Sequence, residues 1–395
     1  MSAHQPGGPR SELGVAMIGY AFMGAAHSQG WRTAHRFFDL PVRPAMSVIC
    51  GRTESATKAA ADKMGWADWT TDWRQVLNRD DVQVVDICTP GDTHADIAIA
   101  ALEAGKHVLC EKPLANTVAE AEQMTATAQA AQARGVLSSV GFNYRRTPAL
   151  AYMRRLVEEG AVGAVRHIRA HYLQDWIVDP EFPLVWRLQK DKAGSGALGD
   201  IGAHIVDLSQ FLTGQRLTKV SGHHTRFVER RPVAQATSGL SASGGVETGE
   251  VTVDDAAVFF GRTDGGALAT YEATRFATGR KNAMRIELNG SAGSIAFDFE
   301  SMNELHVHDG TAPSRDAGFR RILVTEPDHP YTGVWWPPGH GLGYEHTFVH
   351  EIADFVRDVA AGTPPAPSFA DGLQVQRVLD AVERSSAAGA GWTAV

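Results

Sequence analysis

The sequence predicts two joined architectures. An α/β domain on a parallel sheet spans residues 13–143. An α+β domain, residues 144–395, follows it with an open, mostly antiparallel sheet covered by helices on one face. Three observations predict this. Short apolar runs alternate with helix-forming stretches through the first third of the chain. Strand-length runs joined by Gly-, Asn- and Asp-containing turns then replace that alternation. Finally, 395 residues are more than one hydrophobic core usually organises.

The elements follow in order. Residues 1–12, "MSAHQPGGPRSE", are polar and rich in Gly and Pro, and read as a disordered lead-in. "LGVAMIG" (13–19) is a first strand ending in glycine, and "YAFMGAAHSQGWRTA" continues it as a helix. "AMSVICG" (45–51) precedes a helix from Ser55 to Met64. "VQVVDICTP" (82–90) precedes "DTHADIAIAALEAG", whose Ile97, Ala101 and Leu102 share one face. "KHVLCEKP" precedes "NTVAEAEQMTATAQAAQARG", with Asn116 as N-cap and Gly135 as stop. "VLSSVGFN" (136–143) closes the series.

In the second domain, "AVRHIRAHYLQ", "TKVSGHHTRF", "DAAVFFGRTDGGALATYEATR", "AMRIELNGSAGSIAFDF" and "NELHVHDG" read as consecutive strands. Helices starting near Thr147, Asp200 and Tyr344 are expected to cover one sheet face. The other face calls for a partner copy, as a homodimer or homotetramer. "ATSGLSASGGVETGE" (236–250) reads as a flexible surface loop.

Composition narrows the function classes. A net charge of −8 argues against nucleic acid as a partner. No run approaches the roughly 18 apolar residues of a membrane span, so no membrane partner is expected. Cys50, Cys88 and Cys110 are odd in number and far apart, which speaks against a disulfide framework or zinc ribbon and for a reduced, cytoplasmic setting. The pairs His223-His224 and His306-x-His308 lack further ligands, so no metal is expected.

The turn after the first strand reads Gly19-Tyr-Ala21-Phe22-Met23-Gly24, a GxGxxG with alanine in the middle position. Between a strand and a helix, such a turn lets the helix N-terminus receive a pyrophosphate, making this a Rossmann dinucleotide site. The second strand ends in Gly51, Arg52 and Thr53, with no acid to hold NAD ribose hydroxyls; Arg52 could stack on adenine or meet a 2′-phosphate, which leaves both NAD and NADP open. Ligands of such sheets bind outside the carboxyl ends of the strands, where Thr89-Pro90 and Glu111-Lys112-Pro113 also fall.

"VVDICTPGDTHADIAIAALEAGKHVLCEKPLA" resembles the glucose–fructose oxidoreductase/inositol dehydrogenase (Gfo/Idh/MocA) family through Thr89, Pro90, His94, Gly105, Lys106, His107, Glu111, Lys112 and Pro113, with Gly91 in place of the usual Asn. "AGSGALGDIGAHIVDL" (193–208) resembles the family's second motif, carried by Asp200 and His204. "GFNYRRTPA", "YLQDW" and "WRLQKDKAGSGALGD" are similar to its branch that oxidises levoglucosan-like anhydrosugars. The resemblance implies NAD(P)-linked oxidation of a ring secondary hydroxyl of a cyclic sugar, anhydrosugar or inositol. It further implies cofactor contacts from Gly19, Ala21, Phe22, Met23, Gly24, Gly51, Arg52, Thr89, Pro90, His94, Glu111, Lys112 and Asn143.

Oxidising an alcohol removes a proton from oxygen and hydride from carbon, so the site needs a base and a positive group beside the oxygen. Lys112, rigidly mounted at a strand end, is the candidate cation, with Glu111 to orient it. Histidine is the natural base near neutrality, and Asp200 lies four residues before His204 on a helix face, able to bond the substrate hydroxyl or to raise the basicity of His204. Lys112, Asp200 and His204 are therefore the catalytic candidates. Sugar rings also need hydrogen bonds and flat apolar platforms, and the resemblance points to the segments carrying Trp176, Arg187 and Tyr344; with Tyr144, which follows the last Rossmann strand, they join those three as substrate-binding candidates. Two variants of this chemistry, an NAD-dependent glycosidase and a sugar–sugar oxidoreductase that retains its cofactor, fit the same residues. A non-catalytic dinucleotide- or sugar-sensing regulator would be expected to lack the lysine or the histidine.

Overall fold

The alternating apolar runs fold into β1 (Glu12–Ile18), α1 (Phe22–Phe37), β2 (Arg43–Cys50), α2 (Glu54–Met64), β3 (Asp68–Thr70), α3 (Trp73–Leu77), β4 (Val84–Ile87), α4 (His94–Glu103), β5 (His107–Cys110), α5 (Val118–Gln132) and β6 (Ser138–Val140). In this computed structural model residues 11–238 and 241–395 are described; the lead-in expected over 1–12 lies, through residue 10, outside them. All pairings in the first sheet are parallel, in the order β3-β2-β1-β4-β5-β6. Helices on both faces leave β4 wholly buried, which is why it reads as an uninterrupted apolar run broken only by Asp86. The three-residue edge strand β3 carries no clear sequence pattern and was not expected. Strand order reverses between β1 and β4, which places the ligand crevice beyond Ile18 and Ile87.

One local expectation shifts by a residue. The N-cap of α5 is Thr117, in a reciprocal capping box with Glu120. Asn116 instead donates to the carbonyl of Lys192, tying the first domain to the second.

The second domain comprises α6 (Pro148–Glu158), β7 (Val165–Leu173), α7 (Lys190–Ala193), α8 (Ala203–Thr213), β8 (Leu217–Thr225), β9 (Arg230–Ser238), β10 (Ser241–Glu250), β11 (Ala256–Thr263), β12 (Leu268–Thr274), β13 (Ala283–Gly290), β14 (Gly293–Asp298), β15 (Glu304–Asp309), β16 (Arg320–Leu323), α9 (Tyr344–Ala361), α10 (Phe369–Ala387) and β17 (Thr393–Ala394). Its nine-stranded sheet runs β16-β15-β14-β13-β7-β12-β11-β8-β17 and is antiparallel except for the β7–β12 pair. The helices α6 and α8 share a core with one sheet face, through residues such as Leu150, Met153, Val206, Ile286 and Leu288. On the other face Val258 and Phe260 stand half exposed. Arg145, just past β6, makes a buried two-pronged bond to Asp207 of α8 at 2.8 and 2.5 Å, which fixes that helix against the start of the second domain.

Two elements depart from expectation. Helix α9 does not cover the sheet; it packs on α1, where Val349, Ile352, Ala353 and Val356 complete a core with Val15, Met17, Trp31 and Ala34. Gly30 makes this close approach feasible, since a Cβ there would lie 2.6 Å from Ile352 and 3.1 Å from the Phe348 carbonyl. The stretch 236–250 is not a loop. Its described residues belong to the β9–β10 hairpin, with register shifts around Gly244. A backbone ladder does not need large side chains, and Leu184 anchors the hairpin by donating to the Pro232 carbonyl at 2.7 Å.

Candidate active site

The dinucleotide turn is built for close backbone approach. Gly19 adopts φ +101°, and a Cβ there would press within 2.7 Å of the Cys88 carbonyl. At Gly24 a Cβ would meet the Gly19 carbonyl oxygen at 2.1 Å. Helix α1 starts at Phe22 with Ala21 as an N-cap that offers no side-chain bond, and its first turn holds no acid. Its amide donors are thus left for an anion, and the residues fit a dinucleotide pyrophosphate. Phe22 and Met23 lie in that first turn, Phe22 stacked against Tyr344 with ring centroids 6.2 Å apart. Gly51 ends β2 beneath the Tyr20 ring, and Arg52 beside it is exposed.

Around the next two strand ends, Thr89 and Pro90 open the turn into α4. His94 is buried with its ring nitrogens 2.9 Å from the Thr89 carbonyl and 3.0 Å from that of Pro113, so it braces the two loops against each other. Asn143 donates to the Thr347 hydroxyl at 2.8 Å, at the base of α9. Glu111 extends the β5 ladder by donating its amide to Ile87, and its carboxylate accepts the Lys112 amide at 3.0 Å. The ladder ends at Lys112, whose peptide bond to Pro113 is cis.

Lys112 reaches across to the second domain. Its Nζ donates to the Asp200 carbonyl at 2.7 Å and lies 3.4 Å from Asp200 Oδ1. Asp200 sits in a π-helical turn, Leu198–Gly202, that leads directly into α8 and His204. The glycine-rich approach to that turn is clamped by the Asp254 carboxylate, which accepts the amides of Gly196 at 2.6 Å and Leu198 at 2.8 Å. Burial by itself would raise the Asp200 carboxyl, but Lys112, Arg275 and Arg187 together hold it down to about 2, so it is ionised. His204 moves the other way. Burial and the Lys112 ammonium push it well below the ordinary histidine range, and Asp200 only partly offsets them. Its ring is therefore neutral, 4.5 Å from the Tyr144 ring, and its Nδ1 has no hydrogen-bond partner among the described residues.

Several side chains of the candidate site had no sequence signal. Arg275, at the end of β12, is fully buried with its guanidinium 3.5 Å from Asp200 Oδ2 and 5.5 Å over the Trp176 ring. Its Nε likewise has no hydrogen-bond partner among the described residues, so the site keeps unspent hydrogen-bonding capacity. Arg187 lies over the Trp186 ring at 4.4 Å, and its carbonyl accepts from Arg275. A polar chain links the substrate-side candidates: Tyr144 donates to Tyr172 at 2.6 Å, and Tyr172 to Asn282 at 2.6 Å. Gln174 also donates to Asn282, and accepts the Trp176 indole N–H at 3.0 Å. Tyr172 and Asn282 follow no motif; only their adjacency across β7 and β13 could have revealed them. The structure thus links Lys112, Asp200, His204, Tyr144, Arg187 and Trp176 in one cluster, directly or through Arg275, with Tyr344 between it and the dinucleotide turn.

Comparison with known proteins places the chain in a family. Residues 13–142 match the family model "Oxidoreductase family, NAD-binding Rossmann fold", and residues 150–296 match "GFO/IDH/MocA C-terminal domain". Levoglucosan dehydrogenase of Pseudarthrobacter phenanthrenivorans is 42% identical over 95% of this chain and 96% of its own. An oxidoreductase domain protein from Kribbella flavida is 64% identical, with a TM-score of 0.93 over 98% of this chain and 99% of that one. A levoglucosan dehydrogenase in complex with NADH and levoglucosan is 40% identical, with a TM-score of 0.91 over 98% and 100% of the two chains.

Proposed function

The chain belongs to the GFO/IDH/MocA oxidoreductases and is an NAD-binding enzyme close to levoglucosan dehydrogenase; on that premise we propose that it oxidises a ring secondary hydroxyl of a cyclic sugar, anhydrosugar or inositol to a ketone. The observation that carries the reading is the meeting of Lys112 with Asp200 beside a neutral, buried His204. The neutral imidazole accepts the hydroxyl proton. The Lys112 ammonium hydrogen-bonds the same oxygen and stabilises the alkoxide as it forms. Asp200, kept ionised, orients both the lysine and a substrate hydroxyl, and Arg275 fixes Asp200 from behind. Bound NAD supplies the hydride acceptor, held by the Gly19–Gly24 turn. Trp176 and Tyr344 offer flat faces for the ring.

Support for an anhydrosugar comes from the two levoglucosan dehydrogenase comparisons. We also propose a cytoplasmic homodimer or homotetramer that buries Val258 and Phe260 on the open sheet face. The test is a panel of levoglucosan, inositols and aldoses, each with NAD and with NADP, followed by nicotinamide absorbance. Reduction of NAD by levoglucosan or an inositol is expected. If no polyol, aldose or anhydrosugar reduced either cofactor, the reading would fail.

A further inference from the structure

The dinucleotide turn and Lys112 belong to different loops, and one side chain touches the supports of both. His27 lies on α1, three residues beyond Gly24, with no exposed surface. Its Nδ1 is 2.9 and 3.1 Å from the two oxygens of Asp86, the one acid in β4. Its Nε2 is 2.9 Å from Glu111 Oε1, while Glu111 Oε2 accepts the Lys112 amide. Trp31 fixes the far end of the chain by donating its indole N–H to Asp86 at 2.6 Å.

A neutral imidazole carries one N–H, yet here both ring nitrogens face a carboxylate. The arrangement calls for an imidazolium that donates in both directions. Burial is the largest single influence and works against that charge, but Asp86 together with Cys88 outweighs it, and His27 is held well above the ordinary histidine range. The other sides are closed by Phe348, whose ring is 5.3 Å away, and by Cys88, Cys110, Tyr344 and Glu351, all near enough to interact electrostatically with the ring. Donor atoms of His27, Asp86 and Cys88 come within 4.8 Å of one another. A metal would need a free ring lone pair, however, and both nitrogens are already engaged.

We propose that His27 is a positioning residue which, by spanning Asp86 and Glu111, fixes Lys112 relative to the dinucleotide turn. The proposal rests on the role given to Lys112 above. The N-terminus of α1 receives the pyrophosphate, and any displacement of that helix is passed through His27 to Glu111 and so to the Lys112 backbone. Charge-assisted bonds at both ends make the link stiff. Without it, Glu111 loses a donor and the lysine loses its registration with the cofactor. A misplacement near 1 Å can cost about 100-fold in rate.

The test is His27→Gln in the full-length enzyme, assayed with the best substrate of the panel. The expected result is a fall in kcat of about 30- to 100-fold, with the Kd for NADH, measured by fluorescence, and the substrate KM nearly unchanged. A kcat close to that of the parent would overturn the proposal. So would a loss of NADH binding in proportion to the loss of rate, which would mark a merely structural role. Should the variant fold poorly, nitrogen NMR of the parent imidazoles decides: both His27 nitrogens protonated at neutral pH supports the bridge, and a neutral tautomer sinks it. Lys112→Met separates the two layers. An inactive lysine variant beside a fully active His27→Gln defeats this inference alone, whereas an active lysine variant defeats the reading beneath it.

Discussion

Each half of the molecule buries one histidine linked to Lys112, and the two sit in opposite charge states. In the Rossmann half, His27 meets a carboxylate at each nitrogen and is held as an imidazolium. In the substrate half, His204 is flanked by the Tyr144 and Phe142 rings, feels the Lys112 ammonium and is held neutral. Burial opposes the charge in both. What differs is the partner set, so in the roles proposed above the same residue type serves as a strut in one place and as a base in the other.

The largest expected effect comes from removing the group both histidines serve. Lys112→Met is expected to lower kcat by about 1,000-fold or more while NADH still binds; retention of a substantial share of the rate would break the comparison. His204→Asn should cost about 100-fold in kcat and abolish the acid limb of the kcat/KM profile. That limb should lie below the ordinary histidine range, because the ring must be neutral to accept a proton. A wild-type limb at or above that range would contradict the neutral assignment.

A smaller effect sharpens the contrast through a third buried ring. His350 accepts the Trp335 indole N–H at 2.8 Å on Nε2, lies 2.8 Å from the Arg146 carbonyl on Nδ1, and burial lowers it to about 3. The unfolded chain therefore takes up this proton first. Stability is full above the ordinary value of 6.5 and is lost as pH falls toward about 3. Between pH 6.5 and about 5 the loss should be roughly 2 kcal/mol from this ring. His204 adds to the loss with the same sign. His27 has the opposite sign: its raised value contributes stability that is complete below 6.5 and disappears as pH rises through its folded pKa. Urea unfolding across this range, with His350→Gln as comparison, measures the slope; an unchanged slope in the variant would rule His350 out as its source.

The Rossmann side of the site and the Asp200–His204 segment were legible because each of these parts is local. Gly19 to Gly24 is one turn, and Glu111-Lys112-Pro113 is one strand end. Asp200 and His204 share one helical segment, although the turn at Asp200 proved π-helical. The opposite wall was not legible. Arg275, Tyr172 and Asn282 are lone polar residues on or beside separate strands, and only the pairing of Tyr172 with Ala273 and Met284 brings their surroundings together. His27 was hidden in the same way, since its partners lie 59 and 84 residues away.

The sequence by itself determined the two architectures, most of their elements and the strand ends that carry a cation and a phosphate turn. Apolar periodicity and turn chemistry act over a few residues and repeat along the chain. Only the tertiary structure decided that α9 closes the Rossmann core, that 236–250 belongs to a hairpin, and which imidazole is charged. Those outcomes depend on close approach and on the electrostatic partners of buried groups. Such partners are set by contacts between residues far apart in the chain, where no local pattern records them.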